Sequence, residues 1–134
     1  MTHRTLRALL AACAAALLAF SLACSDEPAS VASLTPDELL SSPPANALIL
    51  DVRTPEEYAR GHVPGAVNIP HTEVEARLDE LSGDKDRPVV VYCERGGRAG
   101  QAEATLLAAG FTDLRHLEGD MSAWREAGRP TEMP

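Results

Sequence analysis

The chain has 134 residues, of which 45% are hydrophobic and 24% charged, and its 12 basic and 20 acidic residues give a formal charge of -8. This length and composition suit a single globular domain. Nucleic acids and anionic lipid surfaces attract basic proteins, so an acidic chain argues against both as partners. We expect no nucleic-acid partner.

Residues 1–23 have the pattern of an export signal. Arg4 and Arg7 form a positive start, and a nearly unbroken apolar run follows from Ala8 to Ala23. This pattern is typical of a secretory signal sequence, and the run is short for a membrane-spanning helix of about 20 residues. Removing the signal would leave 10 basic and 20 acidic residues, a charge of -10.

Cys24 follows the apolar run directly and resembles the lipidated cysteine of bacterial lipoproteins. Ser21 stands three places before it, where that motif usually has leucine, whereas Leu10 stands three places before Cys13. Cleavage before Cys13 would leave almost no hydrophobic core in the signal, so we favour Cys24 as the lipidation site. We therefore expect an exported periplasmic or cell-envelope lipoprotein that contacts the membrane only through this anchor. The alternative is a soluble secreted or periplasmic protein.

Residues 24–30 are polar and suit a short tether, so we place the domain at residues 31–134. Its first residues, 31–34, predict a short edge strand. Thr35-Pro36-Asp37-Glu38 then combines a capping threonine, a proline at the first helical position and a glutamate three residues after the cap. A helix should follow and end at Ser42-Pro43-Pro44.

An apolar run at residues 47–52 predicts the second strand, and Thr54-Pro55-Glu56-Glu57 repeats the capping pattern. Asp51 and Arg53 thus lie at a strand's carboxyl end, which is the binding edge of an open α/β sheet. We expect both to support the site rather than to react. Arg53 would pair with Glu57, and Asp51 would accept hydrogen bonds from loop amides.

Residues 61–65 contain turn formers, and residues 67–69 alternate as a strand does. His62 is interpreted as a turn residue tied to the backbone. Thr72-Glu73-Val74-Glu75 predicts a third capping box, opening a helix that turns Leu78 and Leu81 inward. His71 and His116 have no partners that suggest ligation and the domain has one cysteine, so we predict no metal.

Val89-Val90-Val91-Tyr92 is an unbroken apolar run that predicts a central strand covered on both faces. It leads into Cys93 and a loop of Glu94, Arg95, Gly96 and Gly97. A helix should begin at Arg98 and close at Gly110. Loop amides, the helix terminus and the guanidinium groups of Arg95 and Arg98 would then favour the Cys93 thiolate.

Cys93 is therefore a candidate nucleophile, with a buried core thiol as the plainer alternative. Four residues separate Cys93 from Arg98, whereas cysteine-dependent phosphatases need five to wrap a phosphate.

Beyond the helix, residues 113–117 predict a last short strand, and Met121, Trp124 and Ala127 predict the inner face of a terminal helix ending at Gly128. Strands that alternate with helices indicate an α/β fold with a parallel sheet.

The loop resembles that of the rhodanese family of sulfurtransferases, whose pattern Cys-x-x-Gly-x-Arg is met by Cys93, Gly96 and Arg98. Segments 50–58, 61–70 and 117–124 resemble other marker segments of that family. The likeness covers about the last hundred residues. This chain departs from the pattern at Glu94, where basic or neutral residues are usual, at Ala99, where serine is common, and at Asp120, where glycine is frequent.

The resemblance implies a rhodanese-like fold with a five-stranded, mainly parallel sheet and helices on both faces. It also implies that Cys93 takes a sulfane sulfur from thiosulfate or a persulfide, holds it as a persulfide, and passes it to a thiol or cyanide acceptor. Residues 94–98 would form the substrate-binding loop. We expect a monomer without a cofactor. The alternative is a sulfur carrier or regulatory binding module without useful turnover.

Overall fold

A computed structural model describes residues 28–134 and contains one five-stranded sheet in which all strands are parallel. The strands lie in the order β1-β5-β4-β2-β3. Their bounds are β1 (Val31–Leu34), β2 (Leu48–Asp51), β3 (Val67–Asn68), β4 (Val89–Tyr92) and β5 (Leu114–Leu117). The predicted α/β class, the five strands and the edge position of β1 are confirmed.

Strand β4 is the central strand, as its apolar sequence predicted. Its four residues are all buried, and it pairs with β2 on one side and β5 on the other. Asp51 stands opposite Tyr92 in the register, so β2 and β4 end at the same level. The residues that follow both strands, Val52 and Cys93, therefore lie at one edge of the sheet.

Helices cover both faces of the sheet. Val89 and Val91 of β4 face one hydrophobic cluster, and Val90 and Tyr92 face the other. The first cluster packs under α3 and α4, and the second under α1, α2 and α5. The helix bounds are α1 (Pro36–Ser41), α2 (Pro55–Ala59), α3 (Leu78–Leu81), α4 (Gly97–Ala108) and α5 (Asp120–Glu126).

Two of the three predicted capping boxes are present. Thr35 and Glu38 exchange backbone and side-chain hydrogen bonds at the start of α1, and Thr54 and Glu57 do the same for α2. Helix α4 begins at Gly97, one residue earlier than predicted. It ends as predicted, because the N–H groups of Gly110 and Phe111 bond to carbonyls of the last turn.

The third capping box, at Thr72, is wrong. Residues 71–77 form turns, and α3 covers only Leu78–Leu81, with no side-chain cap. Val74 is fully buried in this stretch, and the Glu73 carboxylate pairs with Arg77. Burial of Val74 thus sets the local backbone. Leu78 and Leu81 still pack against the core, as expected.

The C-terminal residues return to the turn at His62. The backbones of His62 and Glu132 exchange two hydrogen bonds of 2.9 Å. The His62 ring stacks on Tyr58 and contacts its carbonyl oxygen through Nδ1 at 3.0 Å, so His62 is the backbone-tied turn residue that the sequence indicated. Met121 and Trp124 are buried as predicted, but Ala127 is exposed because α5 has ended there.

The predicted signal sequence at 1–23 and the lipidation site Cys24 lie outside the described residues. Within residues 28–134, no helix combines the length and apolar character needed to cross a bilayer.

Gly119, directly before α5, should be more sensitive to substitution than Gly128, two residues after its end. Both have left-handed backbones, with φ of 75° and 64°, which cost an L-residue about 1–2 kcal/mol. A Cβ at Gly119 would lie 2.5 Å from the Cβ of Ala123, whereas at Gly128 it would meet nothing within 4 Å. Gly119→Ala should therefore lose roughly 1–3 kcal/mol more unfolding free energy than Gly128→Ala. Urea unfolding of both variants measures this, and equal losses would contradict it.

Candidate active site

Cys93 is the first residue after the central strand, and its sulfur is held inside the loop. The residue is 1% exposed, and Sγ accepts the N–H of Gly96 at 3.0 Å. Gly96 has φ of 98°, a backbone conformation that favours glycine and that brings its N–H back towards the sulfur. In the part of the chain that the structure describes, Cys93 is a free thiol.

Helix α4 starts immediately beyond this contact. Gly97 is its first residue, and the N–H of Gly100 closes the first turn onto the carbonyl of Gly96. The unpaired amides and positive dipole end of a helix favour a negative charge at this place. The strand–loop–helix unit therefore presents the Cys93 sulfur to a region of positive potential.

Arg98 is bound to Glu57 rather than directed at the sulfur alone. Its Nη1 and Nη2 donate to the two carboxylate oxygens of Glu57 at 2.6 and 2.9 Å. These hydrogen bonds, with those of the α2 cap, lower the pKa of Glu57 to about 2. Glu57 raises the pKa of Arg98, and the nearby Cys93 adds to that effect. Arg98 thus ties α4 to α2 while remaining beside the thiol.

The expected pair of Arg53 with Glu57 is wrong, because Arg53 binds Asp51. Its Nη2 lies 2.6 Å from Asp51 Oδ2, and its own N–H donates to Oδ1 at 3.0 Å. The Tyr92 hydroxyl also donates to Asp51, at 2.7 Å. Burial, followed by the charge of Asp51, raises the pKa of Tyr92, so the phenol keeps its proton. This buried group joins the ends of β2 and β4 below the loop.

Glu94, directly after Cys93, is partly buried and lies between two arginines. Its carboxylate accepts hydrogen bonds from both terminal nitrogens of Arg125, a residue of α5. Nη1 of Arg53 lies 3.8 Å from the same carboxylate. Arg95, the next loop residue, is exposed. Two neighbouring arginines thus offset the acidic charge beside the nucleophile.

A buried hydrogen-bond network lies under the loop and was not predicted from the sequence. Asp120 Oδ1 accepts the N–H of Cys93 at 2.8 Å, and its Oδ2 lies 3.1 Å from Nε2 of His116. Nδ1 of His116 lies 2.6 Å from Glu103 Oε1. A Cβ at Gly96 would come within 3.2 Å of Asp120 Oδ2, so a larger residue there would press on the network. The one sequence signal for this network was Asp120, at a position where glycine is frequent in the rhodanese family.

Helix α5 also holds the loop through its backbone. The N–H of Met121 donates to the carbonyl of Cys93 at 3.0 Å, and the N–H of Ser122 donates to that of Glu94 at 3.1 Å. Asp120 has φ of 52°, which non-glycine residues seldom adopt. The start of α5 therefore fixes both sides of the Cys93 peptide unit.

No group of three or more potential metal ligands occurs among residues 28–134. The side chains that meet at the carboxyl edge of the sheet are a thiol, backbone amides and paired charges. Such a site suits nucleophilic transfer of a group to and from sulfur.

The His116 network should make stability depend on pH. Hydrogen bonds to Asp120, and then to Glu103, raise the pKa of His116 from 6.5 to about 10 in the folded protein. The protonated imidazole therefore stabilises the fold fully below pH 6.5, and this contribution is lost as the pH rises through about 10. One proton limits the slope to about 1.4 kcal/mol per pH unit.

Unfolding free energies of the wild type and His116→Gln from pH 6 to 10.5 test this expectation. The difference between them should shrink as the pH rises, whereas His71→Gln, which changes a histidine outside the network, should keep the wild-type profile. A difference that does not change with pH would contradict a protonated His116.

Comparison with known proteins places the site in a family. The model of the rhodanese-like domain matches residues 35–127. Thiosulfate sulfurtransferase 16, chloroplastic, from Arabidopsis thaliana is 40% identical over 94 residues, covering 62% of this chain and 78% of its own. A sulfurtransferase of Allochromatium vinosum is 38% identical over 89 residues, covering 66% and 81%.

A solved structure of a rhodanese-like domain also matches this chain. The solution structure of the rhodanese-like domain of the Alr3790 protein from Anabaena sp. superimposes with a TM-score of 0.68 at 30% identity, covering 78% of this chain and 81% of that one. The range that the family model matches, residues 35–127, contains Cys93, its loop and the Asp51–Arg53 pair. The chain belongs to the rhodanese-like domain family.

Proposed function

We propose that the protein is a sulfurtransferase that carries a sulfane sulfur on Cys93 as a persulfide. Membership of the rhodanese-like family and the sulfurtransferase relatives support sulfur transfer as the general reaction. The observation that carries the specific proposal is the hydrogen bond from the Gly96 N–H to Cys93 Sγ at the start of α4. An amide that donates to the sulfur would stabilise the negative charge that the sulfur carries during transfer.

The reaction has two steps. The Cys93 thiolate attacks the outer sulfur of thiosulfate, the Sγ–S bond forms, and sulfite leaves with the electron pair of the broken S–S bond. An acceptor thiolate or cyanide then attacks the outer sulfur of the persulfide, and Cys93 leaves as a thiolate. Amides of the loop and of the first turn of α4 stabilise the anionic sulfur in both steps.

The surrounding charges suit this sequence of steps. Glu94 would repel a dianionic donor, but Arg125 and Arg53 offset its charge. Asp120, through the Cys93 N–H, and Met121, through the Cys93 carbonyl, hold the backbone of the nucleophile. A thiol whose backbone is fixed meets the donor in one orientation, which is how positioning contributes to rate.

Cys93→Ser should abolish persulfide formation and transfer, since a hydroxyl cannot hold the sulfur. Mass spectrometry after exposure to thiosulfate should show one added sulfur atom on Cys93 in the wild type, removed by cyanide. Cys24→Ser makes the same change outside the loop and should still gain the sulfur on Cys93.

The outcome separates the enzyme from its alternatives. A persulfide that forms but passes slowly to every acceptor indicates a sulfur carrier. An unmodified Cys93 with thiosulfate and with persulfide donors would refute sulfur transfer and leave a regulatory binding module.

We also propose that the protein acts in the cell envelope, anchored by lipid at Cys24. The apolar run that ends directly before this residue and the polar tether after it support the proposal. Metabolic labelling with a fatty-acid probe should mark the wild type and Cys13→Ala but not Cys24→Ala. Equal labelling of all three, or a mature N-terminus elsewhere, would overturn it in favour of a soluble exported protein.

A further inference from the structure

A cleft of about 440 Å³ lies beside the catalytic loop, and cations outnumber anions on its walls. Its charged residues are three arginines and two glutamates, namely Arg53, Arg60, Arg125, Glu57 and Glu94. Both oxygens of Glu57 are already hydrogen-bonded to Arg98. Arg53 and Arg125 are themselves paired with Asp51 and Glu94, so Arg60 carries the excess positive charge. On a chain of net charge -8, this excess marks a local preference for an anion.

Arg53 has hydrogen-bonding capacity left towards the cleft. The residue is 2% exposed, and its Nε and Nη2 donate to Asp51 and to the carbonyl of Gly61. Its Nη1 has no hydrogen bond within residues 28–134. Every side-chain nitrogen or oxygen that is fully buried in that range has a hydrogen-bond partner. Because Nη1 has none, it is not fully buried, and it is accessible from the cleft that Arg53 lines.

Glu94 shows which chemical group suits these arginines. Its carboxylate is bound by both terminal nitrogens of Arg125 and lies 3.8 Å from Nη1 of Arg53, beyond hydrogen-bond distance. A planar carboxylate matches the fork of a guanidinium group. Glu94 thus occupies part of a carboxylate site without using the Arg53 donors.

Arg60 supplies a further cation at the rim. It is exposed and lines the cleft, and no carboxylate of the described residues lies within the 4 Å of an ion pair. An anion between Arg60 and Nη1 of Arg53 would therefore gain two charged donors. It would also compete with Glu94 for Arg125.

We propose that this cleft binds the carboxylate of the acceptor, so that the favoured acceptors are small thiols that carry a carboxylate. The proposal rests on the sulfurtransferase function above and names its acceptor class. Glu94 lines the cleft and directly follows Cys93 in the chain, so the cleft begins within one residue of the reactive cysteine. A thiol and a carboxylate separated by a few bonds span both, and Glu94 acts as an internal competitor for the carboxylate.

The transfer step balances without a further reagent. The acceptor thiolate attacks the outer sulfur of the protonated Cys93 persulfide, and a new S–S bond forms as the Sγ–S bond breaks. Its electron pair stays on Cys93 as a thiolate, and the outer sulfur leaves with its proton on the acceptor. The carboxylate is unchanged and serves only to hold the acceptor in the cleft.

Kinetics with two acceptors of similar length, anionic β-mercaptopropionate and neutral β-mercaptoethanol, test the site. The Michaelis constant for the anionic acceptor, divided by that for the neutral one, should rise about 3- to 10-fold in Arg60→Gln and fall by a similar factor in Glu94→Gln. Arg77→Gln removes the same charge from α3, where Arg77 pairs with Glu73 and Glu80, and should leave the ratio unchanged. A ratio equal in all four proteins would overturn the proposal.

A second measurement does not depend on sulfur chemistry. Titration calorimetry of the full chain carrying Cys93→Ser should detect succinate binding that weakens when Arg60→Gln is added and tightens with Glu94→Gln. Succinate binding in a protein whose Cys93 never gains sulfur would sink the proposed function and leave the carboxylate site standing. Sulfur transfer with neither succinate binding nor acceptor preference would overturn the site alone.

Discussion

The carboxylate of Asp120 is the contact on which the geometry of the catalytic loop depends. One oxygen accepts the N–H of Cys93 and the other faces the His116 ring, which is bound in turn to Glu103. These residues belong to the loop, to α5, to β5 and to α4. A buried carboxylate is costly unless its charge is paired and its oxygens are hydrogen-bonded, and here both conditions are met. The position of Cys93 is thereby fixed by contacts that reach α4, β5 and α5.

Local patterns in the sequence predicted the elements that carry the site but not the contacts between them. The apolar run of β4 indicated its central place, and the threonine–proline–glutamate pattern predicted the starts of α1 and α2. A capping pattern without the proline failed at Thr72, where burial of Val74 decides the backbone. Arg125 is 31 residues from Glu94 and Asp120 is 27 from Cys93, and no local rule says which side chains of separate elements face each other. These pairings depend on tertiary packing.

Three ion pairs around the loop change the origin of the positive potential at the sulfur. The sequence suggested that Arg95 and Arg98 would face the thiolate, yet Arg95 is exposed and Arg98 binds Glu57. Arg53 and Arg125, which also lie near the loop, bind Asp51 and Glu94. The field of each pair falls off faster than that of a single charge, because its two charges offset each other. Close to Sγ lie the N–H of Gly96, the first turn of α4 and the paired guanidinium group of Arg98. The backbone, which does not change its charge with pH, therefore supplies much of the stabilisation.

In the proposed mechanism, burial of Cys93 would give the persulfide a structural purpose. At 1% exposure the thiol is accessible only to a narrow donor, whereas the next residues of the loop reach the surface. Addition of a sulfur atom would place the reactive atom about 2 Å beyond Sγ along a new S–S bond. A buried thiol that forms a persulfide can exclude large reagents in the first step. It can then accept a larger thiol in the second step, because the reactive sulfur is one atom farther from the backbone. A cationic cleft beside the loop would act in that second step, when the sulfur is already bound and the choice of acceptor remains to be made.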